Sequence, residues 1–122
     1  GNIKPTYDMF VEIYKRILLI TPDKRKNSLA EKLDPNKLKE LLMELDWNDQ
    51  LLQHINMLSD IILMFSAPAD DESNKKWKEE LKFINKYDFS QKLPQVLIQI
   101  EEKLDQIYRL IIQMKQQQEN KK

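Results

Sequence analysis

Leu51, Ile55, Leu58, Ile62 and Phe65 stand three or four residues apart, which places them on one face of an α-helix. Leu52, Met57, Ile61, Leu63 and Met64 carry apolar groups around most of the remaining circumference. A helix that is apolar nearly all round belongs inside a bundle, because burying one face would leave the others wet. The pattern therefore predicts a central helix over residues 51–65.

The same periodicity recurs on both sides of it. Tyr7, Phe10, Val11, Tyr14, Ile17 and Leu18 form a helical stripe, predicting a first helix over 6–20. Thr21-Pro22-Asp23 is a restart signal, with threonine as cap, proline at the first helical position and aspartate at the positive end of the dipole. The second helix gains apolar residues only at Leu29, Ala30 and Leu33, so it should lie on the surface. Asp34-Pro35 repeats the signal ahead of Leu38, Leu41, Leu42 and Leu45, and Asn48 is the expected cap of the central helix. Ser66-Ala67-Pro68 ends that helix, since a residue before proline is pushed out of the α region. Asp70, Asp71, Glu72 and Ser73 then offer capping groups and negative charge to a fifth helix carrying Trp77, Leu81 and Ile84.

The last helix should begin near Ser90, with Pro94 in its first turn or at a kink. Leu93, Leu97, Ile100, Leu104, Ile107, Ile111 and Met114 alternate steps of four and three, a heptad seam. Val96, Ile98, Tyr108, Leu110 and Ile112 widen it towards a bundle helix. From Gln116 onward no apolar residue remains, so the expectation is a bundle over 1–115 and a frayed polar tail over 116–122.

Composition narrows the class. At 122 residues the chain holds one domain, and a single glycine suits helices joined at proline corners better than strands joined by tight turns. Twenty basic residues balance twenty acidic ones, leaving no bulk field for nucleic acid or an anionic membrane. The absence of cysteine excludes disulfides, thiolate nucleophiles and cysteine-ligated zinc, and it fits a reducing compartment. No apolar run reaches the ~20 residues of a membrane span, so any membrane contact is expected to be peripheral. Gly1-Asn2 reads as the remnant of a cleaved tag, and the chain as a piece of a longer one.

Little in the sequence points to reaction chemistry. His54 is the only histidine, without a second His or Cys to share a metal, and reads as a structural or boundary residue. Asp70-Asp71-Glu72 lacks the alternation and glycine of a calcium loop. Glu79-Glu80 and Glu101-Glu102 are neighbours pointing about 100° apart on helix faces, not a glycosidase pair. No phosphate-binding glycine loop or nucleophile elbow is present. The expectation is a non-enzymatic protein with no cofactor and no metal. Two basic clusters, Lys24-Arg25-Lys26 and Lys75-Lys76 with Lys78, would form an anion patch for phosphate or lipid headgroups if their helices lie side by side. The seam on the last helix either closes the bundle or extends past it, offering Ile107, Tyr108, Ile111 and Met114 to a protein partner or to a second copy of the chain.

One further pattern enters as a likeness. Ile17-Leu18-Leu19-Ile20, Pro22, Arg25, Leu29, Leu33-Asp34 and Leu38 follow one another in order. After the apolar Ile61-Ile62-Leu63-Met64-Phe65 comes Ser66-Ala67-Pro68-Ala69-Asp70-Asp71-Glu72. This series resembles the t-complex protein eleven family, whose members carry cysteine–alanine–proline, a variable residue, then arginine, aspartate and glutamate at this junction. Ser66 stands in place of that cysteine and Asp70 in place of that arginine. The resemblance implies an all-α, non-enzymatic protein linked to cyclic-AMP and protein kinase A signalling, and to the sperm flagellum. Pro68, Asp71 and Glu72 would be its signature corner.

The chain is thus expected to be an all-α, single compact bundle of five to six helices with a long C-terminal helix. Its expected role is that of a cytoplasmic adaptor that binds a protein and not nucleic acid, with a ciliary or flagellar setting implied by the resemblance. The alternative is an anionic lipid- or phosphate-binding module built on the lysine clusters.

Overall fold

The computed structural model describes residues 4–43, 47–84 and 88–120, and these are all-α. Six α-helices follow in order: α1 Lys4–Ile20, α2 Asp23–Lys32, α3 Pro35–Met43, α4 Trp47–Phe65, α5 Asp71–Lys82 and α6 Phe89–Asn120. A single 3-10 turn, Pro68–Asp70, leads into α5. Helices α1, α3, α4 and α6 close a ring, each packing on the next and α6 returning to α1. Outside the ring, α2 lies against α1 and α5 against α4.

The ring follows from the stripes. Phe10, Ile13, Tyr14 and Ile17 of α1 face Leu38 and Leu42 of α3, Leu51, Ile55, Leu58 and Ile62 of α4, and Leu93, Leu97, Ile100 and Leu104 of α6 in one continuous core. Each such side chain contributes about 1.5–3 kcal/mol when withdrawn from water. Leu29 and Leu33 fasten α2, and Trp77 and Leu81 fasten α5. Helix α4 is flanked by α3, α5 and α6, but its burial is not all-round: Phe65 and Leu63 are half-buried, and Met64 is exposed. Ser59 is fully buried instead, because its hydroxyl donates to the Asn56 carbonyl at 2.6 Å and so satisfies itself within the helix.

The corners correct several capping expectations. Thr21 does not cap α2; its hydroxyl donates backward to the Ile17 carbonyl at 2.6 Å and closes α1, while Pro22 stands at the cap position without a side-chain bond. Asn48 is the second residue of α4, and the cap of that helix lies outside the described residues. Asp34 caps α3 as expected, accepting the Asn36 amide at 2.9 Å. Asp70 makes no side-chain capping bond, so the acids at the start of α5 act through charge near the helix dipole. Ala67 is extended at φ −65° and ψ 147°, the conformation that a following proline imposes.

Two differences concern α6. Pro94 sits in the second turn of an uninterrupted helix, exposed, where its missing N–H leaves one first-turn carbonyl without its helical donor. The polar segment expected to fray from Gln116 remains helical through Asn120, and residues 121–122 lie outside the described region. Gln, Lys and Glu are good helix formers and extend a helix already nucleated by the bundle.

Candidate functional site

The last helix divides into two parts. From Leu93 to Ile107 its seam is buried. Ile111 is half-buried, and Met114, the next residue of the seam, is exposed. The cause is the length of its neighbours. Helix α1 ends at Ile20, in a groove with Tyr108, and α4 ends at Phe65, one residue before a second groove reaching Gln113. Side chains 112–118 are all exposed, so the end of α6 projects beyond the bundle.

The four residues expected to meet a partner therefore separate. Ile107 is 4% exposed and belongs to the core. Ile111 packs on the core's edge. Tyr108, 45% exposed, and Met114 face outward. Ile98 and Ile112, expected to widen the buried face, are also exposed. Their helical angle carries them off the seam, and among the described residues no helix covers them.

A groove of about 330 Å³ runs between α1 and α6, lined by Glu12, Arg16, Leu19, Ile20, Leu104, Asp105 and Tyr108. Arg16 ties its walls together, donating to Asp105 at 2.6 Å with Glu12 3.6 Å away. Leu19 is 66% exposed and was not singled out by the sequence. The available signal was its position off the Phe10–Ile13–Ile17 stripe within an unbroken apolar run.

The corner groove is more polar. Ser66, Ala67 and Asp70 face Lys103, Gln106, Ile107, Arg109, Leu110 and Gln113 across about 240 Å³. Pro68 and Glu72 are exposed and Asp71 is half-buried; none of the three lines this groove. Beside it, α5 is clamped to α6: Trp77 Nε1 donates to Gln99 Oε1 at 3.0 Å, and Lys103 Nζ donates to Asn74 Oδ1 at 2.7 Å while lying 4.8 Å from the Trp77 ring centre. Burial lowers the Lys103 pKa, opposed by the nearby Asp70 and Glu102 carboxylates. Periodicity alone carried no signal for this polar clamp.

The basic clusters do not form one patch through adjoining helices. Lys24, Arg25 and Lys26 are on α2, and Lys75, Lys76 and Lys78 on α5, helices that pack on α1 and α4 and not on each other. Lys26 pairs with Asp23 at 3.2 Å, Arg25 Nη1 donates to Met64 Sδ at 2.9 Å, and Lys78 pairs with Asp60. Lys24, Lys75 and Lys76 are exposed.

His54 lies in an aromatic contact between helices. Its ring is 5.7 Å from that of Tyr14, edge-on, and 5.9 Å from that of Phe10. With the imidazole neutral, the Tyr14 hydroxyl donates to Nε2. Burial lowers the His54 pKa from the usual histidine value, and burial followed by the Asp34 charge raises that of Tyr14. A folded-state pKa below the unfolded ~6.5 means that His54 contributes stability above pH 6.5 and loses it as pH falls through the folded value. Tyr14 has the opposite sense: its contribution holds below about pH 10 and declines above it. Urea titrations should show stability declining from about pH 6.5 downward, with His54→Gln flattening that limb. An unchanged acid limb in the variant would remove His54 as its cause.

Among the described residues no group of three His, Cys, Asp or Glu could hold a metal ion, and no helix is long and apolar enough to cross a membrane. Comparison of the chain with family models, with curated proteins and with solved structures finds no match.

Proposed function

We propose that this chain is a non-enzymatic protein-interaction module that docks an amphipathic helix of its partner along the α1–α6 groove and the projecting end of α6. The supporting observation is the exposure of Leu19, Tyr108, Ile112 and Met114 near or on that projection. Leu19 and Tyr108 share the groove, with Glu12, Arg16 and Asp105 as a charged margin. An apolar strip with a polar rim fits the helix-in-groove mode, in which a few large side chains supply most of the affinity. A role as an adaptor in cyclic-AMP and protein kinase A signalling, or in the flagellum, is the finer form of this proposal and rests only on the sequence resemblance carried by the Ile17–Leu38 series and the Ser66–Glu72 corner. The anion-binding alternative has less support, because Lys26 and Lys78 already have carboxylate partners and their helices do not adjoin.

Affinity capture with the intact chain tests the reading. Leu19→Asp or Tyr108→Asp should abolish capture of the partner while leaving the circular dichroism helical. Capture that survives both substitutions would reject the groove as the docking site.

A further inference from the structure

The exposed side of α6 carries its own repeat, distinct from the buried seam. Asp105, Tyr108, Ile112 and Lys115 follow at steps of three, four and three, and so lie along one stripe. Its two ends are opposite in charge and its middle is apolar. Such a stripe is complementary to itself when reversed.

The geometry points to a second copy of this chain as an occupant of the α1–α6 groove, with the two α6 helices pairing antiparallel about a two-fold axis near Leu110. This rests on the groove being a docking site, as proposed above, and names what docks there. In that register Tyr108 lies opposite Ile112 of the second copy, and Asp105 opposite its Lys115. Each pair occurs twice, as an isologous interface requires.

Three observations carry the assignment. The groove margin holds two carboxylates, Glu12 and Asp105, against the single guanidinium of Arg16, leaving one net negative charge for an incoming lysine. Asp105 keeps half of its side chain exposed despite its bond to Arg16, and Lys115 makes no ion pair among the described residues. The projecting segment, residues 112–120, is also the right length. Reversed about the level of Leu110 it lies against residues 100–108, a stretch that includes Leu104, Asp105 and Tyr108 of the groove. The two bundle bodies then sit end to end, each projection lying along the other copy's groove. A chain with no net charge adds no bulk repulsion.

The interface is small, and the association is expected to be a reversible monomer–dimer equilibrium. Sedimentation of the intact chain should show average mass rising with concentration. Tyr108→Asp should abolish that rise, and so should Lys115→Glu, which sets like charges against Asp105. Mixing the Lys115→Glu chain with an Asp105→Lys chain should restore dimers as a heterodimer, circular dichroism confirming that both remain folded. Direction is read separately. The sequence has no cysteine, so Gln117→Cys gives one nitroxide site per chain. Antiparallel pairing in this register separates the two labelled positions by about 23 Å, whereas a parallel pair would hold them ~9 Å apart.

A chain that stays monomeric at every concentration overturns the second-copy assignment, and the capture experiment then decides separately whether the groove docks another protein. Dimers indifferent to Tyr108→Asp and Lys115→Glu, or a short label distance, overturn the pairing itself.

Discussion

Ile107→Asp should unfold the bundle, whereas Tyr108→Asp, one residue along the same helix, should leave it folded. Ile107 is 4% exposed within the seam that packs α6 into the ring. Removing its side chain alone costs about 2–5 kcal/mol, and an unpaired buried carboxylate adds several more. The sum approaches the ~5–15 kcal/mol that holds a typical domain together. Tyr108 is 45% exposed. An aspartate there stays in water, and the expected loss is ~1 kcal/mol or less. Circular dichroism during urea titration checks both. A folded Ile107→Asp chain would mean that α6 is not fixed in the ring as described.

Phe10→Ala should cost about 3–5 kcal/mol, the usual range for a fully buried phenylalanine. The ring of Phe10 lies 6.3 Å from Tyr14 and 5.9 Å from His54, so its loss opens a cavity beside their hydrogen bond. Water entering that cavity would lessen the penalty for charging His54. The variant should therefore be less stable at pH 7 and also lose less of its remaining stability between about pH 6.5 and 5 than the native chain does. A large drop in stability with an unaltered acid limb would show that Phe10 supports the core without shielding the imidazole.

Much of the architecture was legible in the chain. Leu51, Ile55, Leu58 and Ile62 were placed on one face by spacing alone, and all four are fully buried. Leu93, Leu97, Ile100 and Leu104 are buried as well, the middle two fully. What spacing could not show is which second faces find cover. Met64, Ile98 and Ile112 looked as apolar as their neighbours, but burial depends on whether another helix happens to lie alongside, a long-range fact. Capping was legible at Asp34 and misread at Thr21, because a threonine between two helices can bond to either one. The candidate site was legible only in part. A projecting end of α6 was one of two readings of the seam, while Leu19 and Arg16 join it from a helix about ninety residues earlier, and no local pattern announces that meeting.

Closure of the ring by α6 against α1 also governs how the chain is born. Phe10, Ile13 and Ile17 leave the ribosome well ahead of Leu97, Ile100 and Leu104, which belong to the surface that covers them on one side. Until α6 follows, α1 carries an uncovered apolar face, an invitation to chaperones or to aggregation. The ring closes only when α6 arrives.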